Sequence, residues 1–277
     1  MYLGADSIYA INLKRHKERL DQFNEVVKTL DIKVNIIEGI DNKDVIPLSN
    51  DFIKSYLSDT FFDPAGFFSV GVVCCALSHR KAYKAFLDSG DEVGLFLEDD
   101  AMPTGFIHEY DFKQLRKELD SINWGICWYG KWAYKQWVGD QLTDNLYEHP
   151  HFVRHNQAAH AYLLNRKSAE WFYKNTEKIK YAADVRLEAS PFNQVSPSNA
   201  IFLQKKLELW LGNQKVAHQD EFWNSVMDDV PSTKHTDGYR RYMLGVSSEH
   251  LPIKSKEVKT FFHRGKKVFG EEYTIYV

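Results

Sequence analysis

Apolar residues along this chain alternate between short β-favouring runs and longer runs at helical spacing. Residues 7–13, Ser-Ile-Tyr-Ala-Ile-Asn-Leu, read as a first strand. Residues 14–31 carry Leu20, Phe23, Val26, Val27 and Leu30, the spacing of one helical face. Residues 33–38 are β-branched and end at Gly39, a second strand. Strand, helix and strand in so few residues predict a βαβ unit and a parallel sheet. Further on, 51–57 reads as a short helix and 61–68 as an aromatic loop around Pro64. Residues 70–89 read as a helix stopped by Gly90, with Ala76, Leu77, Ala82, Tyr83, Phe86 and Leu87 on one side. A buried strand follows at Val93 and Leu95 to Leu97. A helix at 112–119, a strand at 124–130, an apolar run at 161–164, a helix at 167–174 and a strand-rich stretch at 201–210 complete the pattern. The expected fold class is α/β with a mostly parallel central sheet.

The 277 residues, 44% hydrophobic and 26% charged, suffice for one large α/β domain or two smaller ones. From Pro231 the chain turns polar. The expected division is a main domain at 1–230 and an extension at 231–277 that packs on it or binds a partner. A net charge of −3, with both signs interspersed, gives no general argument for nucleic acid. Cys74, Cys75 and Cys127 form no CxxC pair, which predicts buried thiols in a reducing compartment rather than a disulfide framework or a zinc site. Residues 1–6 lack a basic segment followed by an apolar run, and no stretch approaches membrane-spanning length. The expectation is a cytoplasmic protein, free or peripheral at a membrane.

The chemistry concentrates where the buried strand runs into Glu98, Asp99 and Asp100. Adjacent carboxylates repel, and a buried one needs a partner, so this strand end calls for a cation or open water. The carboxyl ends of strands line the ligand crevice of an α/β sheet, and a hard divalent ion with oxygen ligands suits three acids there. An ordinary solvated loop is the plainer reading of the same residues. Asp184 stands among small and apolar neighbours, a setting for a general base, a helix cap or an ion pair with Arg186. His79, inside the 70–89 helix, fits a hydrogen-bonded structural role. His218 lies beside Gln219 and Asp220. The tryptophans at 132 and 137 suit packing before a sugar site. No GxGxxG follows the first strand, so a dinucleotide fingerprint is missing.

Four pieces in order resemble one family, glycosyltransferase family 25. Ile8 to Arg15, with Arg19 after it, is similar to the family's opening INL-x-R-x-x-R pattern. Cys75-Ala76-Leu77-Ser78-His79 resembles its GCALSH helix, with Cys74 in place of the glycine. Leu97-Glu98-Asp99-Asp100-Ala101 resembles its LEDDA motif. Residues 124–130 resemble a WDI-x-x-LG strand, with Gly125 in place of the aspartate. Weaker echoes are Ala161 to Leu164 for AYLIS, Ala183-Asp184 for a PVD step and His218-Gln219 for a late segment. Together they cover about 7–225.

The resemblance implies a GT-A fold, a nucleotide-sugar-binding sandwich whose acidic motif holds manganese or magnesium against the donor diphosphate. It implies an inverting transfer of a hexose, galactose or glucose, from a UDP-sugar to a glycan or a hydroxylated protein acceptor. Asp100 would be the direct metal ligand, with His218 a further metal or diphosphate contact. Glu98 and Asp99 would orient the metal or the ribose, and Asp184 would be the base. Asn12, Leu13 and Arg19 would receive the nucleotide, and Ser78 and His79 would support the donor site. The alternative is a non-catalytic adhesion-type protein that keeps the fold. A metal-dependent hydrolase fits less well, because no second His/Asp cluster accompanies the acids.

Overall fold

The computed structural model describes residues 1–45, 55–62, 70–131, 139–149, 159–188, 190–204, 260–263 and 266–269. The first unit is strand β1 (Ser7–Asn12), helix α1 (Lys17–Leu30) and strand β2 (Asn35–Glu38). A short α2 (Asn42–Val45) and β3 (Leu57–Phe62) lead to the long helix α3 (Val70–Ser89). Next come β4 (Val93–Glu98), β5 (Ala101–Pro103), a 3-10 turn at Gly105–His108 and α4 (Phe112–Ser121). Then follow β6 (Ile126–Trp128), β7 (Gly130–Lys131), β8 (Tyr147–Glu148), β9 (Ala161–Asn165) and α5 (Arg166–Asn175). The series ends with β10 (Ile179–Tyr181), α6 (Ala183–Glu188), β11 (Gln194–Ser196), β12 (Phe202–Gln204) and a hairpin of β13 (Thr260–His263) and β14 (Lys266–Phe269).

Among the described residues the central sheet has seven strands in the order β2-β1-β4-β9-β6-β11-β8. β1 pairs in parallel with both β2 and β4, as the βαβ pattern predicts. The expectation of a mostly parallel sheet is corrected beyond β4. β9 lies antiparallel between β4 and β6, β11 is parallel to β6, and β8 closes the edge antiparallel to β11. The reason is physical: Ala161 to Leu164 is a run buried on both faces, and such a run fits either strand direction. Direction is decided instead by where the chain re-enters. His160 accepts the Glu98 N–H through its carbonyl at 2.9 Å, so β9 starts beside the end of β4 and runs back along it.

Alternation along the strands builds two apolar layers. Ala10, Leu95, Leu97, Cys127 and Leu163 face Phe23 and Leu30 of α1 and Leu115 and Leu119 of α4. Tyr9, Phe96, Trp128, Tyr162 and Leu164 face Ala82, Tyr83 and Phe86 of α3 and Ala169 and Phe172 of α5. The sheet is thus the middle of an α/β/α sandwich, and successive residues serve opposite layers. Local caps place these helices. Asp111 accepts the N–H groups of Lys113 and Gln114 at the start of α4, and Asn165 accepts that of Ser168 at the start of α5. Asp31 closes α1 in a left-handed conformation (φ 48°).

The expected aromatic loop begins as strand at Leu57–Phe62, and its remainder lies outside the described residues. So do most of the predicted 51–57 helix, both tryptophans at 132 and 137, and the boundary near 231. Cys74 and Cys127 are buried free thiols as expected, whereas Cys75 is exposed. Among the described residues no helix is long and apolar enough to cross a membrane.

Phe96 is the keystone of the α3–α5 layer. It stacks with Tyr9 and Tyr162 at centroid distances of 5.7 and 5.5 Å and meets Tyr83 and Phe86 edge-on. Phe96→Ala is expected to cost about 3–5 kcal/mol in urea-induced unfolding. A loss below about 1 kcal/mol would show that this layer collapses around the deletion.

Candidate functional site

The site gathers at the carboxyl ends of β1, β2 and β4. Two backbone bonds set the strand ends beside one another: Asp99 donates its N–H to Ile11 O at 3.1 Å, and Gly39 donates to Asn12 O at 2.9 Å. β4 is buried until Glu98, so the chain delivers three carboxylates where the apolar layers stop.

Asp99 and Asp100 share Arg19, and Glu98 turns to His79. The Asn12 side-chain amide donates to Asp99 Oδ2 at 2.6 Å. Arg19, from the first turns of α1, contacts Asp99 Oδ1 and lies 3.1 Å from Asp100 Oδ2. Asp99 and Asp100 are 8% and 7% exposed, whereas the Arg19 side chain is 37% exposed. Burial raises the Asp99 pKa, and Arg19 and Asn12 recover only part of the cost. Glu98 takes the other direction. Its carboxylate lies 3.1 Å from His79 Nε2. Burial opposes its charge, but the bond to His79 and the charges of His79, His160 and Arg19 outweigh burial and hold its pKa low.

Helix α3 forms the opposite wall. His79 is 1% exposed, and its Nδ1 lies 2.7 Å from Tyr162 Oη, which is itself 2.8 Å from Tyr83 Oη. Ser78 works on the backbone: its hydroxyl donates to Cys74 O at 2.6 Å and accepts the Ile40 N–H at 2.8 Å. It therefore ties the loop after β2 to α3. Arg15 is held by Asp41. Between these walls lies a cavity of about 360 Å³ lined by Leu13, Arg15, Arg19, Cys75, Glu98 and Asp99, among others. That volume lies within the ~300–1,000 Å³ range of small-ligand pockets.

The structure brings together Leu13, Arg19, Ser78, His79, Glu98 and Asp99 around this one cavity, with Asn12 and Asp100 joined to it through Asp99 and Arg19. Asp184 is separate from that lining. It is half-buried in the first turn of α6, and its charge acts on Cys75 together with those of Glu98 and Asp100. The Arg186 guanidinium stacks over Trp171 at 4.4 Å. His218 lies outside the described residues. Sequence reasoning missed Arg15 and Cys75 as lining residues. The available signal for Cys75 was its helical spacing from His79, four residues on within one helix; Arg15 lies before α1 and carried no such signal.

In donor chemistry the acids suit a hard divalent ion, although among the described residues Glu98, Asp99 and Asp100 do not form a set of three ligand atoms within 4.8 Å of one another. They offer oxygen donors alone, at a buried strand end whose charge already requires a cation, and Arg19, which now supplies it, is on a partly exposed side chain able to move.

Residues 5–187 match the model of glycosyltransferase family 25 (LPS biosynthesis protein). Procollagen galactosyltransferase 2 of Homo sapiens is 29% identical over 136 residues, covering 47% of this chain and 21% of that protein. The Mus musculus protein of the same name is 29% identical over 138 residues, with the same shares covered. The matched stretch thus spans 21% of the length of these relatives. Among solved structures, A197 from STIV is 14% identical with a TM-score of 0.38, over 69% of this chain and 81% of that one.

The pH dependence of stability should report His160, which is buried beside the acids. Burial lowers its pKa from 6.5 to about 4, against the pull of Glu98 and the Phe202 carbonyl. The folded value lies below the unfolded one, so the stabilisation is complete above about 6.5 and is lost as pH falls toward about 4. A drop of at most roughly 3 kcal/mol across that window is expected in denaturation midpoints. His160→Gln should flatten the profile, and an equally steep profile in that variant would assign the loss elsewhere.

Proposed function

Because the chain belongs to glycosyltransferase family 25, we propose that it transfers a hexose, galactose or glucose, from a UDP-sugar to a glycan or hydroxylated protein acceptor. The single observation that carries this reading is the cavity at the strand ends, where family-motif residues from three separate segments converge. The procollagen galactosyltransferase relatives support galactose as the sugar and a protein as acceptor. The α/β/α sandwich with its opening βαβ unit supports a GT-A arrangement of the nucleotide domain.

In this account Asn12 and Leu13, at the end of β1, receive the nucleoside. Arg15 and Arg19 face the same cavity and offer guanidinium forks to a diphosphate. Asp100 would hold manganese or magnesium, and Asp99 and Glu98 would orient the metal or the ribose. Such an ion, when bound, neutralises charge that gathers on the leaving diphosphate. Arg19 then exchanges its present carboxylate partners for phosphate oxygens. Inverting transfer is a direct displacement, so the acceptor hydroxyl must lose its proton on the face opposite the leaving group. Asp184 is the base in this account. Its charge acts on Cys75 of the cavity wall, as those of Glu98 and Asp100 do, which supports a place near the same cavity. Ser78, which lines the cavity, ties the loop after β2 to α3 and so supports the donor site.

Two variants separate the roles. Asp100→Asn is expected to weaken manganese-dependent donor binding at least about tenfold in calorimetry. Unchanged metal-dependent binding in the folded variant would remove Asp100 as a ligand. Asp184→Asn is expected to keep donor binding and to lower turnover by about 10²–10⁴-fold. Normal turnover in that variant would remove Asp184 as the base.

A further inference from the structure

We propose that Cys75, His79 and Glu98 form a second cation site, for a borderline-soft divalent ion such as Zn²⁺, in the wall of the same cavity. Their ligand atoms all lie within 4.8 Å of one another. Tetrahedral zinc, with bonds of about 2.0–2.3 Å, holds its ligand atoms about 3.3–3.5 Å apart. His79 Nε2 and Glu98 Oε1 already stand 3.1 Å apart. The Cys75 thiol, no more than 4.8 Å from either, completes the triad by closing to about 3.5 Å.

The local structure prepares these three groups. Cys75 and His79 are four residues apart on α3, so both project from one helix face. Tyr162 Oη, 2.7 Å from Nδ1, holds the imidazole with Nε2 toward Glu98 and Cys75. A hydrogen bond to the second ring nitrogen is the support that ligating histidines usually have. When Nδ1 carries the proton toward Tyr162, Nε2 is free to ligate. Glu98 is fixed from behind by its backbone bond to His160. All three residues line the cavity, so a fourth coordination position faces it. Three protein ligands and one open position let zinc take an outside oxygen, from water or from a phosphate.

The donor set separates this site from the neighbouring acids. Asp99 and Asp100 offer oxygen alone and suit manganese or magnesium, whereas thiolate and imidazole favour zinc. Charge also balances. Cys75 gives up its thiol proton to solvent on binding, and the thiolate and the Glu98 carboxylate offset the two charges of the ion. Cys75 has surface on the cavity, but the protein packed around its thiol, with the nearby Glu98, Asp184 and Asp100 charges, raises its pKa, so without an ion the thiol stays protonated. The site does not depend on transferase activity, since binding is read without turnover.

The test uses the full chain, freed of metal by a chelator, with Zn²⁺ and Co²⁺ as probes. Zinc is expected to bind at one equivalent that Cys75→Ser weakens at least tenfold and Cys74→Ser leaves unchanged. Co²⁺ is expected to give a thiolate-to-metal charge-transfer band that Cys75→Ser removes. In wild-type protein, which needs no variant to fold, Zn²⁺ should slow modification of Cys75 by N-ethylmaleimide, mapped by peptide mass spectrometry. Absence of zinc binding, a cobalt spectrum without the thiolate band, or no protection of Cys75 would overturn the proposal. Transfer without zinc binding would leave the proposed function standing and remove this site alone.

Discussion

Three consecutive carboxylates at the end of a strand buried on both faces are the constraint on which the rest depends. Glu98, Asp99 and Asp100 cannot share one apolar strand end without counter-charge and donors. The fold supplies these from separate segments: Asn12 from β1, Arg19 from α1 and His79 from α3. Each donor is carried by an element that packs on the sheet around β4. The two apolar layers thereby do more than stabilise the molecule, because they hold the partners of the acids at fixed positions. Phe96 belongs to this same arrangement, since the Tyr162 ring it stacks against also orients His79.

Much of this was legible in the sequence. The βαβ opening, the 70–89 helix and the strand into the acids follow from apolar spacing, because helix and strand periods differ. The acids themselves announce a site, because an apolar strand that ends in three carboxylates needs a physical reason to do so. Strand direction was not legible. Ala161 to Leu164 is apolar throughout, and nothing in that pattern says which way the strand runs. The cavity face of Cys75 was hidden for a related reason. A cysteine among valines and alanines reads as core, and only its position relative to His79 on the formed helix turns it toward the cavity. Ser78 reads as a donor-site residue in the motif, yet its hydroxyl serves backbone groups that the sequence does not bring together.

The cavity carries two donor chemistries side by side. Asp99 and Asp100 present oxygen to Arg19, and Cys75 and His79 present sulfur and nitrogen toward Glu98. Glu98 stands between the sets, with His79 on one side and the acidic turn on the other. In the proposed transferase, the balance of charge at this corner changes each time a diphosphate enters or leaves. Arg19 is the movable part of that balance, since it is the most exposed member of its ion pairs.

The most direct measurement is calorimetry of the full chain against a panel of nucleotide sugars, each with and without manganese. The account predicts that a UDP-hexose binds, and that manganese strengthens its binding at least about tenfold. Failure of every nucleotide sugar to bind the folded protein would contradict the account and favour a non-catalytic, adhesion-type role for the same fold.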